Sequence, residues 1–303
     1  RQDHGQNMLK KLIEEFEHSF TLEFIRSAQE NDLSTRAASL ALFSVMSVFP
    51  FIALLVWVST LSGTPEEARL WATRFGLFLP PDFADLIKQE VDYRLQQELT
   101  GSLISILMHV ALIIISAGGA IRSFLFSLRD IAKAEDVIGF HQIIFRSLLL
   151  IIPATFAVFL ASIVVAFVSF VSNQISSALN SAWLSIPLIW LMMTGVFITI
   201  LNAVYASSLI GHQTVRIHGW AGSITAASMI SIVTIVISAY YQLHPTYREW
   251  YGTPGFIITV LLWFYLCSTG LLMGAQINAV RHIRKRRAAE EAKHTAEGSG
   301  EPA

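Results

Sequence analysis

Two carboxamides, Gln276 and Asn278, lie near the end of an apolar stretch, just before a run of cations. A carboxamide has donor and acceptor atoms but does not titrate, so it can hold a polar solute or another helix but cannot relay a proton. Two interpretations stay open: hydrogen bonds between neighbouring helices, helped by the small Gly274, and the lining of a polar vestibule.

Three further polar side chains interrupt apolar stretches. His109 and Asn202 lie within such stretches, and Arg122 follows Gly118-Gly119 at the end of one. If these stretches cross a membrane, such groups are functional candidates. The alternatives are that His109 and Asn202 bond to neighbouring backbone, and that Arg122 extends to the headgroups instead of meeting an anionic substrate. With the two carboxamides they form a candidate polar pathway.

The cations after the last apolar stretch are typical of an orientation signal and a lipid-headgroup anchor. A binding site for an anion is the alternative. The residues are Arg281, Arg284, Lys285, Arg286 and Arg287.

No pattern of residues indicates catalysis. Hydrolysis at a bound metal needs clustered His and carboxylates, but the nine His are scattered and Cys267 is the sole cysteine. Phosphate-binding loops of the Walker A type do not occur. We therefore expect no catalytic residue, no metal and no cofactor. The net charge of −1 also argues against nucleic acid as a partner.

The elements that must position these residues are apolar. Hydrophobic residues make up 53% of the 303 residues, charged residues 14%, and the mean hydropathy is +0.55, whereas soluble domains carry about 25% charged residues. Six windows have the roughly 20 apolar residues that a membrane helix needs, and no Asp, Glu, Lys or Arg inside. They are 37–61, 102–121, 147–172, 184–210, 220–242 and 255–280. The prediction is an all-α membrane protein with six transmembrane helices.

Lysine and arginine set the predicted orientation. With six spans, the two tails and the loops on their side carry 16 of the 21 Lys and Arg, and the other three loops carry five. The positive-inside rule therefore predicts that both termini are cytoplasmic.

Two segments outside the windows have helical apolar faces. Residues 8–28 predict an amphipathic helix on the cytoplasmic side, and the external loop 62–101 predicts a helical cap. The apolar face of the cap comprises Phe83, Leu86, Ile87, Val91, Leu95 and Leu99. The predicted organisation is a cytoplasmic segment 1–36, a membrane domain 37–280 and a basic, then polar, tail 281–303.

The stretch YGTPGFIITVLLWFYLCSTGLLMGAQIN resembles the pattern that ends the membrane core of the YihY/virulence factor BrkB family. The start of the first window is similar to that family too, and the resemblance covers roughly residues 33–283. The matching positions are Tyr251, Gly252, Gly255, Leu262, Trp263, Tyr265, Gly274, Ala275, Gln276 and Asn278, and, in the first window, Arg36, Ala37, Ala38, Ser47 and Pro50.

The resemblance implies a multi-pass protein of the bacterial cytoplasmic (inner) membrane, with six spans and cytoplasmic termini. Gln276 stands where the family usually has Glu, so coupling to protons or cations through that carboxylate is closed to this chain. The end of the fourth window, Tyr205 to Leu209, lacks the Arg and Pro that the family often has there. Some members of this family carried an old ribonuclease BN label. Because the His of this chain are scattered and form no metal-binding cluster, we reject a nuclease function.

These observations favour a transporter or permease of an amphiphilic or anionic solute, such as a lipid or envelope precursor. Pro50, Pro153 and Pro187 remove helix hydrogen bonds and favour the kinks around which transporters form cavities. The alternative is a non-transporting scaffold or envelope-assembly factor. The expected partners are membrane lipids, and a homo-oligomer formed through the external loop is left open.

Overall fold

The computed structural model describes residues 20–62, 65–76, 79–96, 103–133, 185–206, 219–244 and 247–298, with single positions at 145, 167, 170, 171, 174, 215 and 217. Across these ranges the regular structure is helical, which confirms the all-α prediction for them. The longer elements are α1 (Phe20–Glu30), α2 (Leu33–Ser62), α3 (Pro65–Gly76), α4 (Pro81–Gln96), α5 (Leu103–Ile131), α6 (Ser185–Ala206), α7 (Trp220–Leu243) and α8 (Tyr247–Gly298). The predicted window 147–172 lies almost wholly outside the described residues.

Several helices are suited to a bilayer. Within the described chain, three stretches are long and apolar enough to cross a membrane: Leu33–Pro50, Trp220–Leu243 and Gly255–Glu290. A shorter apolar helix covers Trp190–Ala206, and the predicted window 102–121 forms most of α5. The length and hydropathy of these helices are therefore those of a membrane protein. The count of six spans and the orientation stay predictions.

Helix α8 is the element against which most others pack. It contacts α7, α2, α1 and α5. Its 52 residues extend about 78 Å at 1.5 Å per residue, more than twice the thickness of a hydrocarbon core. The helix does not stop at residue 280, because residues 275–297 contain no Gly or Pro and are rich in strong helix formers.

Small residues allow α7 and α8 to pack very closely. A Cβ placed on Gly274 would lie 2.5 Å from the carbonyl oxygen of Gly222 and 2.8 Å from Cβ of Ala226. A Cβ on Gly222 would meet the carbonyl oxygen of Gly274. Beside this contact, the buried Tyr205 of α6 donates a 2.6 Å hydrogen bond to the Leu271 carbonyl of α8. Three helices are thus held together around one crossing.

Polar contacts join the start of α2 to the end of α5. The guanidinium of Arg36 forms a 2.5 Å ion pair with Asp130, and its Nε donates to the Asn31 carbonyl at 2.8 Å. The hydroxyl of Ser123 donates to that of Ser39 at 3.2 Å. These bonds fix the α1–α2 turn over the end of α5.

The predicted cap is a pair of helices, α3 and α4, that pack on each other and on α2. Its predicted apolar face points inward: Phe83 and Val91 are buried, and Leu86, Ile87 and Leu95 pack against buried clusters. Leu99 lies outside the described residues. Arg69 of α3 binds Asp92 of α4 at 2.7 Å, and this hydrogen bond raises the pKa of the Arg69 guanidinium. The helical cap is confirmed, and its external location stays a prediction.

The crossing of α7 and α8 gives a stability prediction. Gly222→Ala should lower the free energy of unfolding by about 1–3 kcal/mol, because the added methyl group overpacks the contact with Gly274. Gly195→Ala is the matched control, since a Cβ there meets nothing within 4 Å and alanine favours a helix over glycine by roughly 0.5–1 kcal/mol. Thermal unfolding in detergent, followed by circular dichroism, measures both. Equal melting temperatures for the two variants would contradict the packing argument.

Candidate functional site

Asn278 binds the backbone that leads into α7. Its side chain is buried, with 5% exposure. Its Oδ1 accepts the N–H of Gly222 at 2.8 Å, and its Nδ2 donates to the carbonyls of Ile217 and Gly219, both at 2.9 Å. The first N–H groups of a helix lack partners within the helix. Asn278 therefore supplies the acceptor that the Gly222 N–H lacks within α7, and it shares the Gly219 carbonyl with Ser223.

Asn202 binds the same segment from the other side. Its Oδ1 accepts the N–H of Gly219 at 3.1 Å, and the residue is half-buried. Gly219 thus has its N–H bound by α6 and its carbonyl bound by α8. The structure brings together two predicted site residues, Asn202 and Asn278, on one peptide segment.

The side chain of Gln276 joins α8 to α1 and to the α1–α2 turn by hydrogen bonds. The residue is 1% exposed. Its Oε1 accepts a hydrogen bond from Nδ2 of Asn31 at 2.8 Å, and its Nε2 donates to the hydroxyl of Ser27 at 2.6 Å. Two residues along a helix turn by about 200°, so Gln276 and Asn278 address different neighbours. These contacts favour the interpretation of hydrogen bonding between helices, and a vestibule role stays a prediction.

The other two residues of the predicted pathway lie on α5, apart from the carboxamides. His109 lies within the helix, but its side chain is outside what the structure describes. Arg122 is half-buried and follows about 20 Å further along the helix axis. Contacts of Arg122 with Asn202, Gln276 or Asn278 are not among those found in the described ranges, so their common pathway remains a prediction.

The cations of α8 divide into two groups. Arg284 and Arg287 form ion pairs with Glu23 of α1 at 3.3 and 2.7 Å, and the Arg284 guanidinium lies 5.9 Å from the ring centre of Phe20. Arg281, Lys285 and Arg286 are exposed. Part of the predicted headgroup anchor therefore also holds α1, while the rest faces outward.

A cavity of about 290 Å³ lies between the cap, α2 and α8. Its wall is mainly apolar, with two serine hydroxyls. The lining residues are Ser44, Ser47, Val48, Ile52, Ala68, Trp71, Ala72, Leu79, Phe83, Ile87, Val91, Trp263 and Phe264.

The cavity brings together the two regions that carry the family resemblance. Ser47 comes from the first window, and its hydroxyl donates to the Ser44 carbonyl at 2.7 Å, one turn before Pro50. Trp263 comes from the C-terminal motif, and its Nε1 donates to the hydroxyl of Thr234 at 3.0 Å. Sequence reasoning had not placed Ser47 and Trp263 in a site. Each of the two residues belongs to one of the motifs that resemble the family, and this was the available signal.

Comparison with known proteins identifies the family. The model of the family described as Virulence factor BrkB matches residues 24–299. The chain belongs to this family. The ribonuclease-like protein YfkH of Bacillus subtilis is 23% identical over 274 residues, covering 88% of this chain and 97% of the relative. No solved structure matches.

A second group of relatives matches over a shorter stretch. UPF0761 membrane proteins of two Stenotrophomonas maltophilia strains are 36% identical over 72 residues, covering 23% of this chain and 17% of theirs. Their name places the family in membranes, whereas YfkH is named for ribonuclease-like character. Among the residues that the structure describes, no group of three or more His, Cys, Asp or Glu could hold a metal.

The two asparagines on the Gly219 segment give a paired prediction. Asn278→Asp should lower the free energy of unfolding by about 2–4 kcal/mol, because the carboxylate cannot donate to the Ile217 carbonyl and also faces the carbonyl oxygen of Gly219, which keeps only its bonds from Ser223. Asn202→Asp should lower it less, since the one described bond of Asn202 uses it as an acceptor and a negative charge near the start of α7 offsets part of the cost of a charge in an apolar window. Thermal unfolding compares the two. A larger loss for Asn202→Asp would contradict the assigned bonds.

Proposed function

We propose that the protein is a transporter or permease of an amphiphilic solute, a lipid or an envelope precursor, in the bacterial cytoplasmic membrane. The observation that carries the proposal is the apolar cavity between the cap, α2 and α8. Its volume of about 290 Å³ is close to the lower end of the range for ligand pockets, roughly 300–1,000 Å³. An acyl chain or another apolar group matches its wall chemically.

Helix α2, which forms part of the cavity wall, contains a proline that removes one backbone hydrogen bond. Pro50 lies inside α2 and has no N–H to give to the preceding turn. Such interruptions in membrane helices accompany substrate sites in transporters. Bending of α2 at Pro50 would move Ser47 and Ile52 relative to Trp263 and so open or close the cavity.

The proposed transport does not use proton exchange at position 276. Gln276 has no titratable group, and both ends of its carboxamide already bind α1 and the α1–α2 turn. If the proposed transport is driven by an ion gradient, residues other than Gln276 must couple ion movement to it.

A scaffold or assembly factor is the second candidate, and the outer surface of the cap favours it. Leu70 of α3 and Tyr93 of α4 are 51% and 57% exposed. Exposed large apolar side chains on a cap that projects from the membrane can serve as a partner contact. This function requires neither an open cavity nor movement of α2.

A test of transport fills the cavity. Ala72→Phe places a ring where Ala72 lines the cavity with 5% exposure, whereas Thr73→Phe adds the same ring at the neighbouring exposed position. Purified protein in liposomes should accelerate translocation of fluorescent lipid analogues between leaflets, measured by dithionite quenching. Ala72→Phe should slow that rate at least tenfold, and Thr73→Phe should leave it unchanged.

Both variants must keep the wild-type elution volume and melting curve for the comparison to count, and Ala68→Leu fills the same cavity if Ala72→Phe unfolds. Translocation that is absent in folded wild-type protein, or equal in all variants, would reject transport through this cavity and favour the scaffold.

A further inference from the structure

An open groove of about 650 Å³ lies between the starts of α1 and α7 and the cationic part of α8. Its wall consists of apolar and small residues together with three cations of α8. The lining residues are Phe20, Ala221, Thr225, Ile277, Arg281, Arg284, Lys285 and Ala288.

Two of the cations in the groove are available to a ligand. Arg284 already pairs with Glu23. Arg281 and Lys285 are exposed, and no ion pair of theirs occurs within the described part of the chain. They are four residues apart, so they lie on one face of α8 about one turn from each other. Two adjacent cations of this kind suit a phosphate group.

One end of the groove lies at the start of α7, where the exposed surface of that helix becomes apolar. Trp220, the first residue of α7, is 57% exposed, as expected for an aromatic side chain at a membrane interface. The exposed surface of α7 then continues as an apolar stripe from the groove, formed by Ile224, Ile232, Ile235 and Val236, each 48–60% exposed. A ligand with a negative head and an apolar tail fits this sequence of surfaces, whereas a soluble phosphate would leave the stripe unused.

We infer that the groove binds the headgroup of an anionic phospholipid, with its phosphate on Arg281 and Lys285 and its acyl chain along the exposed stripe of α7. This site is specific, unlike a general attraction of all the cations to a charged surface. It does not depend on the transport proposal, because the lipid binds here whether or not the cavity beneath the cap carries a solute.

The test measures binding of dioleoylphosphatidylglycerol to the full chain in detergent by native mass spectrometry. Dioleoylphosphatidylcholine serves as the zwitterionic reference. The double variant Arg281→Gln/Lys285→Gln should weaken binding of the anionic lipid about thirtyfold, since two cations are removed at the surface. The conservative variant Arg281→Lys/Lys285→Arg should retain most of the binding.

The matched control is Lys133→Gln/Lys293→Gln, which removes the same charge from exposed positions outside the groove and outside the predicted headgroup anchor. It should bind the anionic lipid like the wild type. Equal weakening in both double variants would overturn the site in favour of non-specific attraction. Displacement of the lipid by inorganic phosphate at comparable concentration would overturn a lipid as the occupant, and unchanged binding in the groove variant would overturn the groove itself.

Discussion

The close approach of α7 and α8 is the constraint on which the other described contacts depend. The carboxamide of Asn278 reaches the backbone ahead of α7 only because residue 222 has no side chain: a Cβ there would lie 2.5 Å from Nδ2 of Asn278. The same contact positions Gly219 for Asn202, and it leaves room for the Tyr205 hydroxyl beside Gly274. In a membrane, where apolar burial does not drive helices together, such close packing and interhelical hydrogen bonds provide the association.

Helix α1 is attached to α8 by exposed ion pairs and by buried hydrogen bonds, and the two contribute differently to stability. Ion pairs between exposed side chains contribute roughly 0–1 kcal/mol each, and the partners of Glu23, Arg284 and Arg287, are 41% and 63% exposed. Gln276 is almost completely buried, and each of its bonds would leave an unsatisfied buried group if broken, at a cost of about 1–3 kcal/mol. The hydrogen bonds of the buried Gln276 carboxamide therefore contribute more to the attachment of α1 than the ion pairs of Glu23 do.

The sequence predicts what is local. The apolar window 220–242 coincides with α7, and the described part of the window 184–210 forms α6, because hydropathy and helix length follow from neighbouring residues. Helix α8 continues past the apolar window to Gly298, and the absence of Gly and Pro over residues 275–297 was the readable signal for this extension. The partners of Gln276, Ser27 and Asn31, lie about 245 positions away in the chain, and no pattern in a single sequence reports such pairs.

The cavity and the groove lie on one continuous helix. Phe264 borders the cavity and Lys285 borders the groove, and the 21 residues between them correspond to about 31 Å along α8. This distance equals the thickness of a hydrocarbon core, roughly 30 Å. A phospholipid spans only one leaflet, about half of that thickness, so no single lipid molecule occupies both recesses at once. With α8 crossing the membrane as proposed, the two recesses open to opposite leaflets, and each meets its own population of lipids.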